Sequence, residues 1–549
     1  MINSAVDSNQ IIDVAAVGGG VSGAYAAWRL ASHHKSSKIR LYELSDRIGG
    51  RLLSMTMPGM PHVQAELGGM YVTESQAIVW ELIKLLNLKT TVADFSSRGV
   101  RAYIRDRHLL MSEFNQPDKV PYNLRPDEEG KNYKELFDFA VKRAIKRAIR
   151  DKDLTPAYWD SEDWKRDLET LKIDGQHLYD LSIWEVLLKE ISNEAYNLCL
   201  NTGFFYSDLG TWNAASAIAT TMSLPYSDTW YMIADGYQTL PKTLATEFEK
   251  ENGEVCLNHR LKTFDRTSEG LIRLNFVDRA GHSLPPVFAK HLILAMPKRS
   301  LELLAVENQQ NFLFSNSTFQ DNIQTVSGDP VYKLFLGYHH PWWHQLDIHG
   351  GTSATDLPMQ KCYYFGTESA QGGDPNNHNS LLLSVFSDNI AAGFWQRMAY
   401  NPEDPEKRPA FRGELAETRE LRAFIKSDGC IIIDPLVPSQ NMVRTAQQQL
   451  KALHNLADIP EPYTALYIDW QKDPYGGGWH SWNPRCQPWE VMKQMRHPIH
   501  GANVYVCGEA YSNMQGWVQG ALNSAELMLE ENFNLSRPAW LPPSYDLGS

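Results

Sequence analysis

The stretch IIDVAAVGGGVSGAYAAWRLASHH, residues 11–34, determines the fold class. Its apolar first half predicts a buried parallel strand, and its Ala- and Leu-rich second half predicts a helix. Between them GGGVSG, residues 18–23, matches the pattern GxGxxG. In that pattern Gly18 permits a tight turn, Gly20 lets a pyrophosphate approach the backbone, and Gly23 lets the helix lie against the strand. The free N–H groups at the helix N-terminus then face the phosphates.

A second strand and a carboxylate complete this unit. The run IRLYEL, residues 39–44, predicts the strand, and Glu43 near its end follows Gly23 by 20 residues. A carboxylate at that spacing accepts a hydrogen bond from a ribose hydroxyl. The alternative is a structural glycine turn with a surface glutamate, but the strand, the helix and the acid together favour a dinucleotide site. The fingerprint alone does not choose between NAD and FAD.

Composition excludes several classes of protein. The chain has 549 residues, enough for two or three domains, and its 43% hydrophobic and 21% charged residues indicate a globular protein. The net charge of -13 is a poor match to nucleic acid or to an anionic membrane surface. The start MINSAVDSNQ lacks a signal-peptide pattern, and no apolar run nears the ~20 residues of a membrane span. We therefore expect a soluble protein, cytoplasmic rather than secreted.

The sequence predicts no metal site. Six cysteines form no CxxC pair, which suits a reducing compartment and gives no support to structural zinc. The histidines His339, His340, His344 and His349 match no ligand spacing, and we interpret them as surface or loop residues. A GxSxG nucleophile elbow and a P-loop are also missing from the sequence.

The rest of the chain mixes helices and strands. Residues 134–150 predict an amphipathic helix within a mostly helical region, 75–230. Residues 254–298 predict a β-meander that ends in the apolar run HLILAMP, and 331–338 predict a half-buried strand with alternating polarity. Further strands are expected at 381–386 and at 503–510, the latter followed by a helix and an irregular Pro-rich tail. The clearest strand–turn–helix units therefore lie at the two ends of the chain.

Several motifs resemble one flavoprotein family. ELSDRIGGRL, residues 43–52, offers two glycines for close backbone approach and two arginines near a phosphate, although alone it could be a basic surface turn. Together with ELGGMY at 66–71 and the glycines of 508–521, it resembles the flavin-dependent amine oxidase superfamily. IHGGTS at 348–353, followed by TDLP at 355–358, resembles the L-amino acid oxidase branch rather than the monoamine oxidases.

The resemblance implies an α/β fold with a Rossmann-like FAD-binding domain, a mixed-sheet substrate domain and a helical insertion, as in L-amino acid and monoamine oxidases. The FAD-binding domain would be discontinuous and would comprise residues 11–75, 235–300 and 490–530. Residues 76–234 would hold largely helical and substrate-domain segments, 301–489 the mixed-sheet substrate-binding domain, and 531–549 the Pro-rich tail.

The resemblance also implies the cofactor and its contacts. Trp479 stands where some monoamine oxidases carry a cysteine bonded to the flavin, so the FAD should be non-covalent. The cofactor-binding residues expected on this basis are Gly18, Gly20, Val21, Ser22, Gly23, Glu43, Gly50, Arg51, Gly69, Met70, Leu261, Gly508, Glu509, Trp517, Val518 and Ala521.

A reaction centre follows from the same resemblance. Lys333 matches the lysine that holds a water at flavin N5, whereas strand alternation alone would let it face solvent. Trp517 would stand beside the flavin, and Tyr71 is the third catalytic candidate. The substrate-binding candidates are Trp479, Tyr364 and Phe386. In a chain with 16 tryptophans, Trp479 and Trp517 could equally be ordinary core residues.

Two departures from the L-amino acid oxidase pattern concern the substrate carboxylate. Tyr71 occupies the position of an arginine that grips the carboxylate, and Phe386 replaces a tyrosine that shares this role. Tyr71, Tyr364 and an arginine such as Arg98 or Arg101 are the candidates to replace them.

The expected function is an FAD-dependent L-amino acid oxidase. It would take an amino acid and molecular oxygen as substrates and act as a homodimer or a higher even oligomer. The alternatives are a monoamine or polyamine oxidase, which Tyr71 favours, and a non-catalytic flavin-fold binding module.

Overall fold

The computed structural model describes residues 11–95, 97–159, 161–223, 229–399 and 437–548. A seven-stranded sheet, here the dinucleotide sheet, contains the strand Ile11–Val17 at its centre. That strand pairs in parallel with Ile39–Tyr42 on one side and with Val287–Leu294 on the other. The helix Val21–His33 connects the first two strands, as the fingerprint predicts. The remaining strands of this sheet are Glu254–Cys256, Arg260–Arg266, Ile272–Val277 and Val504–Val506.

The strand Val287–Leu294 joins distant parts of the chain. Its first half pairs antiparallel with Ile272–Val277, and its second half pairs in parallel with Val504–Val506. The predicted meander is therefore confirmed over 260–294. The prediction is wrong for Glu254–Cys256, because this strand is not part of the meander and pairs in parallel with Ile39–Tyr42. The boundaries proposed for the three domains stay a prediction.

A second seven-stranded sheet, here the substrate sheet, supports the other half of the site. Its strands, in spatial order, are Thr464–Asp469, Val331–Tyr338, Ser380–Asp388, Lys361–Thr367, Thr352–Thr355, Arg101–Ile104 and Arg107–Leu110. All eight residues of Val331–Tyr338 are buried, so the prediction of a half-buried strand is wrong. The strand lies between two partners, and its alternate residues enter two different apolar clusters.

Smaller sheets connect these layers. They are formed by Ser54–Met57 with Met60–Glu66, Val72–Thr73 with Trp230–Ile233 and Thr90–Val92, Lys172–Ile173 with Gln176–His177, and Val326–Asp329 with Trp479–Trp482.

The region 75–230 is largely helical, as predicted. The predicted helix at 134–150 is Tyr133–Ala148, which begins at an Asn132 capping box and buries one apolar face. Its neighbours in this region are Ala77–Leu85, Pro156–Trp159, Glu162–Thr170, Ile183–Glu190, Asn193–Thr202, Tyr206–Leu209 and Ala214–Ser223.

The other helices flank the two large sheets. They are Thr239–Lys250, Lys298–Glu307, Ser317–Ile323, Asn389–Gln396, Gln440–His454, Pro488–Arg496 and Val518–Phe533. The last of these is tied to the first helix of the chain, because Glu526 forms a buried ion pair with Arg29. Among the helices of the described ranges, none is long and apolar enough to cross a membrane.

Candidate active site and cofactor cavity

The glycine turn is built as the fingerprint predicts. Gly18 has φ +117°, and a Cβ there would lie 2.3 Å from the carbonyl oxygen of Ala295. A Cβ on Gly23 would lie 1.9 Å from the carbonyl oxygen of Gly18, so the helix can lie this close only with glycine. Glu43 accepts a hydrogen bond from the Gly19 N–H at 2.6 Å and thereby fixes the turn to the second strand.

A deep cavity opens on this turn and collects residues from distant segments. All but two of the predicted cofactor residues line it, namely Gly18, Gly20, Val21, Ser22, Glu43, Gly50, Arg51, Gly69, Leu261, Gly508, Glu509, Trp517, Val518 and Ala521. The other two, Gly23 and Met70, are not part of this lining, and their contact with the cofactor stays a prediction. Gly23 acts through helix packing, and Met70 is buried in the apolar cluster beneath the substrate sheet.

The donors of the cavity fit a dinucleotide. The helices Val21–His33 and Val518–Phe533 both begin at its wall, so two sets of free N–H groups and two positive dipole ends face the same space. A Cβ added to Gly20 would have no atom nearer than the Gly50 Cα at 4.0 Å. A Cβ added to Gly50 would lie 3.1 Å from the Gly20 Cα, so the two glycine backbones lie close together. A pyrophosphate can therefore contact bare backbone here.

One end of the cavity contains residues that the sequence did not indicate. Arg260 and Glu307 line it and form an ion pair of 2.9 Å, and Ser300 and Leu304 lie beside them. Arg260 stands next to the predicted Leu261, and that adjacency is the signal that could have found it. Glu307 ends a helix with no local motif, so only the tertiary structure identifies it.

A buried ionic cluster contributes Arg51 and Glu509 to the cavity lining. The Glu509 carboxylate accepts hydrogen bonds from the Gly516 N–H at 2.7 Å and from the His480 N–H and Nδ1 at 2.9 and 2.8 Å, and it pairs with Arg51 at 2.7 Å. Burial alone would raise the pKa of Glu509. The Arg51 charge and the His480 and Gly516 hydrogen bonds outweigh burial and hold that pKa well below its usual range.

Lys333 lies inside the protein, with 2% of its surface exposed. Its Nζ donates to the carbonyl oxygens of Glu66 at 3.0 Å and Gly68 at 2.5 Å. It also lies 4.6 Å from the centroid of the Phe386 ring, its cross-strand neighbour. Burial lowers the pKa of Lys333 to about 7, and the Glu66 charge opposes this change. The solvent-facing alternative for this lysine is therefore wrong.

Aromatic side chains continue from Phe386 to the cofactor cavity. Phe386 lies 6.2 Å from Trp479 and 5.7 Å from Tyr363, measured between ring centroids. Tyr363 lies 6.4 Å from Tyr71, Tyr71 lies 6.2 Å from Trp230, and Trp230 lies 5.7 Å from Trp517. The structure thus brings Lys333, Tyr71, Phe386, Trp479 and Trp517 together around one aromatic wall.

Tyr364 belongs to the opposite face of the substrate sheet. Its hydroxyl donates to His454 Nε2 at 2.6 Å and accepts from Ser353 Oγ at 2.8 Å, because His454 Nδ1 already donates to the Leu450 carbonyl oxygen. The ring lies in the apolar cluster on the side of the sheet away from Phe386. We therefore expect Tyr363, which the sequence analysis missed, rather than Tyr364 to contact the substrate, and both assignments stay predictions.

The two arginine candidates for the substrate carboxylate are placed elsewhere. Arg101 donates to the carbonyl oxygens of Gly99, Leu346 and His454, and Arg98 is exposed. Of the four clustered histidines, His349 lies 3.7 Å from the Asp347 carboxylate. No group of metal-ligating side chains occurs in the part of the chain that the structure describes.

Comparison with known proteins agrees with this geometry. Residues 21–527 match the model of the flavin containing amine oxidoreductase family. Aplysianin-A of Aplysia kurodai is 26% identical, covering 98% of this chain and 93% of its own. The L-amino-acid oxidase of Bungarus fasciatus is 23% identical over 93% of this chain and 84% of its own. Cyclohexylamine oxidase from Brevibacterium oxydans IH-35A has the same fold, with a TM-score of 0.61, 17% identity and coverage of 95% and 99%.

Proposed function

This chain belongs to the flavin-containing amine oxidoreductase family, and we propose that it is an L-amino acid oxidase with non-covalent FAD. It converts an L-amino acid, water and oxygen into a 2-oxo acid, ammonia and hydrogen peroxide. The observation that carries the proposal is the meeting of the dinucleotide cavity and the aromatic wall at Trp517, with a buried lysine set into that wall. The full-length similarity to a protein named L-amino-acid oxidase supports the choice of substrate class.

FAD, when bound, accepts the hydride from the substrate Cα and passes the electrons to oxygen. The protein orients and encloses the substrate. Tyr71, Tyr363 and Phe386 hold its apolar part, while Trp479 is fixed by donating its indole N–H to Ser207 Oγ at 3.1 Å. The substrate reacts as a neutral amine, and the imine product is then hydrolysed by water.

We assign Lys333 to holding the water that the family resemblance implies at the reaction centre. Two of its N–H groups are occupied by the carbonyl oxygens of Glu66 and Gly68, and a third remains beside the Phe386 ring. This N–H holds the water by donation. Lys333 therefore orients a water and does not act as the base that removes a substrate proton.

An oxidase of amines without a carboxylate is the second candidate. Tyr71 stands where L-amino acid oxidases carry an arginine, and the wall around it is aromatic, as suits the apolar body of an amine that has no carboxylate. Arg101, the inner of the two arginine candidates, is committed to main-chain carbonyls.

The test is hydrogen peroxide release by the flavin-containing protein from L-amino acids, D-amino acids and the matching decarboxylated amines. Peroxide from L-amino acids supports the proposal, and peroxide from the amines alone rejects it in favour of the second candidate. Lys333→Met should lose activity, whereas Lys290→Met, an exposed strand lysine paired with Asp13, should keep it. We also propose an even oligomer, which light scattering of the purified protein measures.

A further inference from the structure

The atoms around Lys333 indicate which charge it carries. Its Nζ faces two carbonyl oxygens, of Glu66 and Gly68, and the ring face of Phe386. All three are acceptors or electron-rich surfaces, and an ammonium offers three donors and no lone pair. A neutral amine has two N–H groups, which the two carbonyl oxygens would occupy, so it would have no N–H left to donate to a water beside the Phe386 ring. The surroundings of Nζ therefore match the ammonium.

The atoms around the Glu66 carboxyl indicate the opposite charge. One oxygen accepts the Tyr237 N–H at 2.8 Å, and the other accepts the Ser54 hydroxyl at 2.7 Å. Ser54 Oγ accepts the Gln238 N–H at 3.1 Å, which leaves its own hydrogen for Glu66. Both carboxyl oxygens are thus acceptors, as in a carboxylate, although Glu66 has no exposed surface.

The two charges act on each other without direct contact. Lys333 binds the main chain of Glu66, and the side chain of Glu66 is held on Ser54 and Tyr237. Burial raises the pKa of Glu66 to about 7, and the Ser54 and Tyr237 hydrogen bonds and the Lys333 charge oppose this. The phenols of Tyr71 and Tyr237 also face Glu66, but burial raises the pKa of each far above neutrality, so they remain uncharged. Lys361, the next cation of the substrate sheet, lies beyond Phe386.

We propose that Glu66 is a positioning residue for Lys333. Its carboxylate keeps the lysine as an ammonium, docked on the carbonyl oxygens of Glu66 and Gly68, with the remaining N–H free for the water of the reaction centre. This inference rests on the proposed role of Lys333. It gives a role to the fully buried glutamate that begins the ELGGMY segment, residues 66–71.

The test separates charge from shape. The visible spectrum of the flavin in the FAD-loaded protein is titrated from acidic to alkaline pH without substrate, for the wild type, Glu66→Gln, Glu66→Asp and Lys333→Met. The wild type should show a transition that Lys333→Met abolishes. Glu66→Gln, which keeps the shape, should move it to lower pH by at least about one unit. Glu66→Asp, which keeps the charge, should leave it close to the wild-type position, even where its thermal unfolding shows a loss of stability. The matching limb of the kcat/KM profile should move in the same direction.

Three results would overturn the inference. The first is a wild type without a Lys333-dependent transition, and the second is a Glu66→Gln protein whose transition has not moved. The third is a spectral effect of Glu66→Gln that is the same in the Lys333→Met background as in the wild type. A Lys333→Met protein that oxidises amino acids at the wild-type rate rejects the proposed role of Lys333 instead. Failure of the two proposals is therefore distinguishable.

Discussion

Glu509→Gln should lower the free energy of unfolding by about 3 kcal/mol. Its carboxylate receives the Arg51 guanidinium and three hydrogen bonds, and its side chain is only 8% exposed. A glutamine keeps one acceptor oxygen, so Arg51 loses its charged partner and retains the Gly478 carbonyl oxygen at 3.2 Å, and a further donor loses its acceptor. Breaking a buried pair costs about 3–5 kcal/mol. We take the lower end because 19% of the Arg51 side chain remains exposed.

The assay is urea unfolding of the FAD-free protein at neutral pH, followed by tryptophan fluorescence. Glu530→Gln is the control, since Glu530 lies on the C-terminal helix Val518–Phe533 and pairs with Arg537 near the surface. It should cost less than about 1 kcal/mol. The double variant Arg51→Met/Glu509→Gln should be more stable than the sum of the two single effects predicts, because it removes the unpaired guanidinium.

Acidification should reproduce this loss in the wild type. The folded pKa of Glu509 is depressed from 4.5, so its contribution is complete above that value and is lost as pH falls through the folded pKa. A Glu509→Gln protein as stable as the Glu530→Gln control would refute the reasoning. Strict additivity in the double variant would refute it as well.

Three further predictions concern other parts of the molecule. Tyr364→Phe should lose about 1–3 kcal/mol of stability while KM stays unchanged, because the tyrosine hydroxyl joins Ser353 to His454 inside the core. Unfolding and peroxide-release kinetics on one preparation check this. A raised KM contradicts it. Gly18→Ala should impair FAD retention, because its Cβ would overlap the Ala295 carbonyl; FAD fluorescence after gel filtration measures this, and wild-type retention rules it out. Burial lowers the pKa of His454 from 6.5 to about 3, so the unfolded chain binds an extra proton between those values and stability falls as pH drops through that window. His454→Gln should remove about 1.4 kcal/mol per pH unit from that slope, as measured by unfolding at several pH values, and an unchanged slope would disprove it.

The parts of the fold that could be predicted from the sequence were those determined by interactions between residues that are close in the sequence. Gly18 has a positive φ, and Gly23 lies against the Gly18 carbonyl oxygen within the same strand–turn–helix unit, so their spacing was sufficient to place them. Glu43 follows in the next strand. The strands and helix at the two ends of the chain were predictable for the same reason.

Residues whose environment depends on distant chain segments were not predictable. The alternation of polar and apolar residues in Val331–Tyr338 suggested that one face of the strand is exposed to solvent, but neighbouring segments cover both faces. Choosing Tyr363 over Tyr364 is a question of strand parity, and bulges on either side of this pair obscure it in the sequence. Glu307 reaches the cofactor cavity from a helix that carries no motif. In each case the deciding contacts come from the tertiary structure.

The long-range pairing of the dinucleotide sheet determines when, during protein synthesis, this sheet can be completed. Leu292–Leu294 can pair with Val504–Val506 only after the later strand has been synthesised. Arg29 and its partner Glu526 on the helix Val518–Phe533 are 497 residues apart in the sequence. At about 5–20 residues per second, a ribosome needs roughly 25–100 s to cover that distance. The flavin pocket is therefore incomplete until Ala521 has been synthesised, and complete cofactor loading follows that point. A transcript truncated before residue 504 should yield only flavin-free protein, however much of the N-terminal half it encodes.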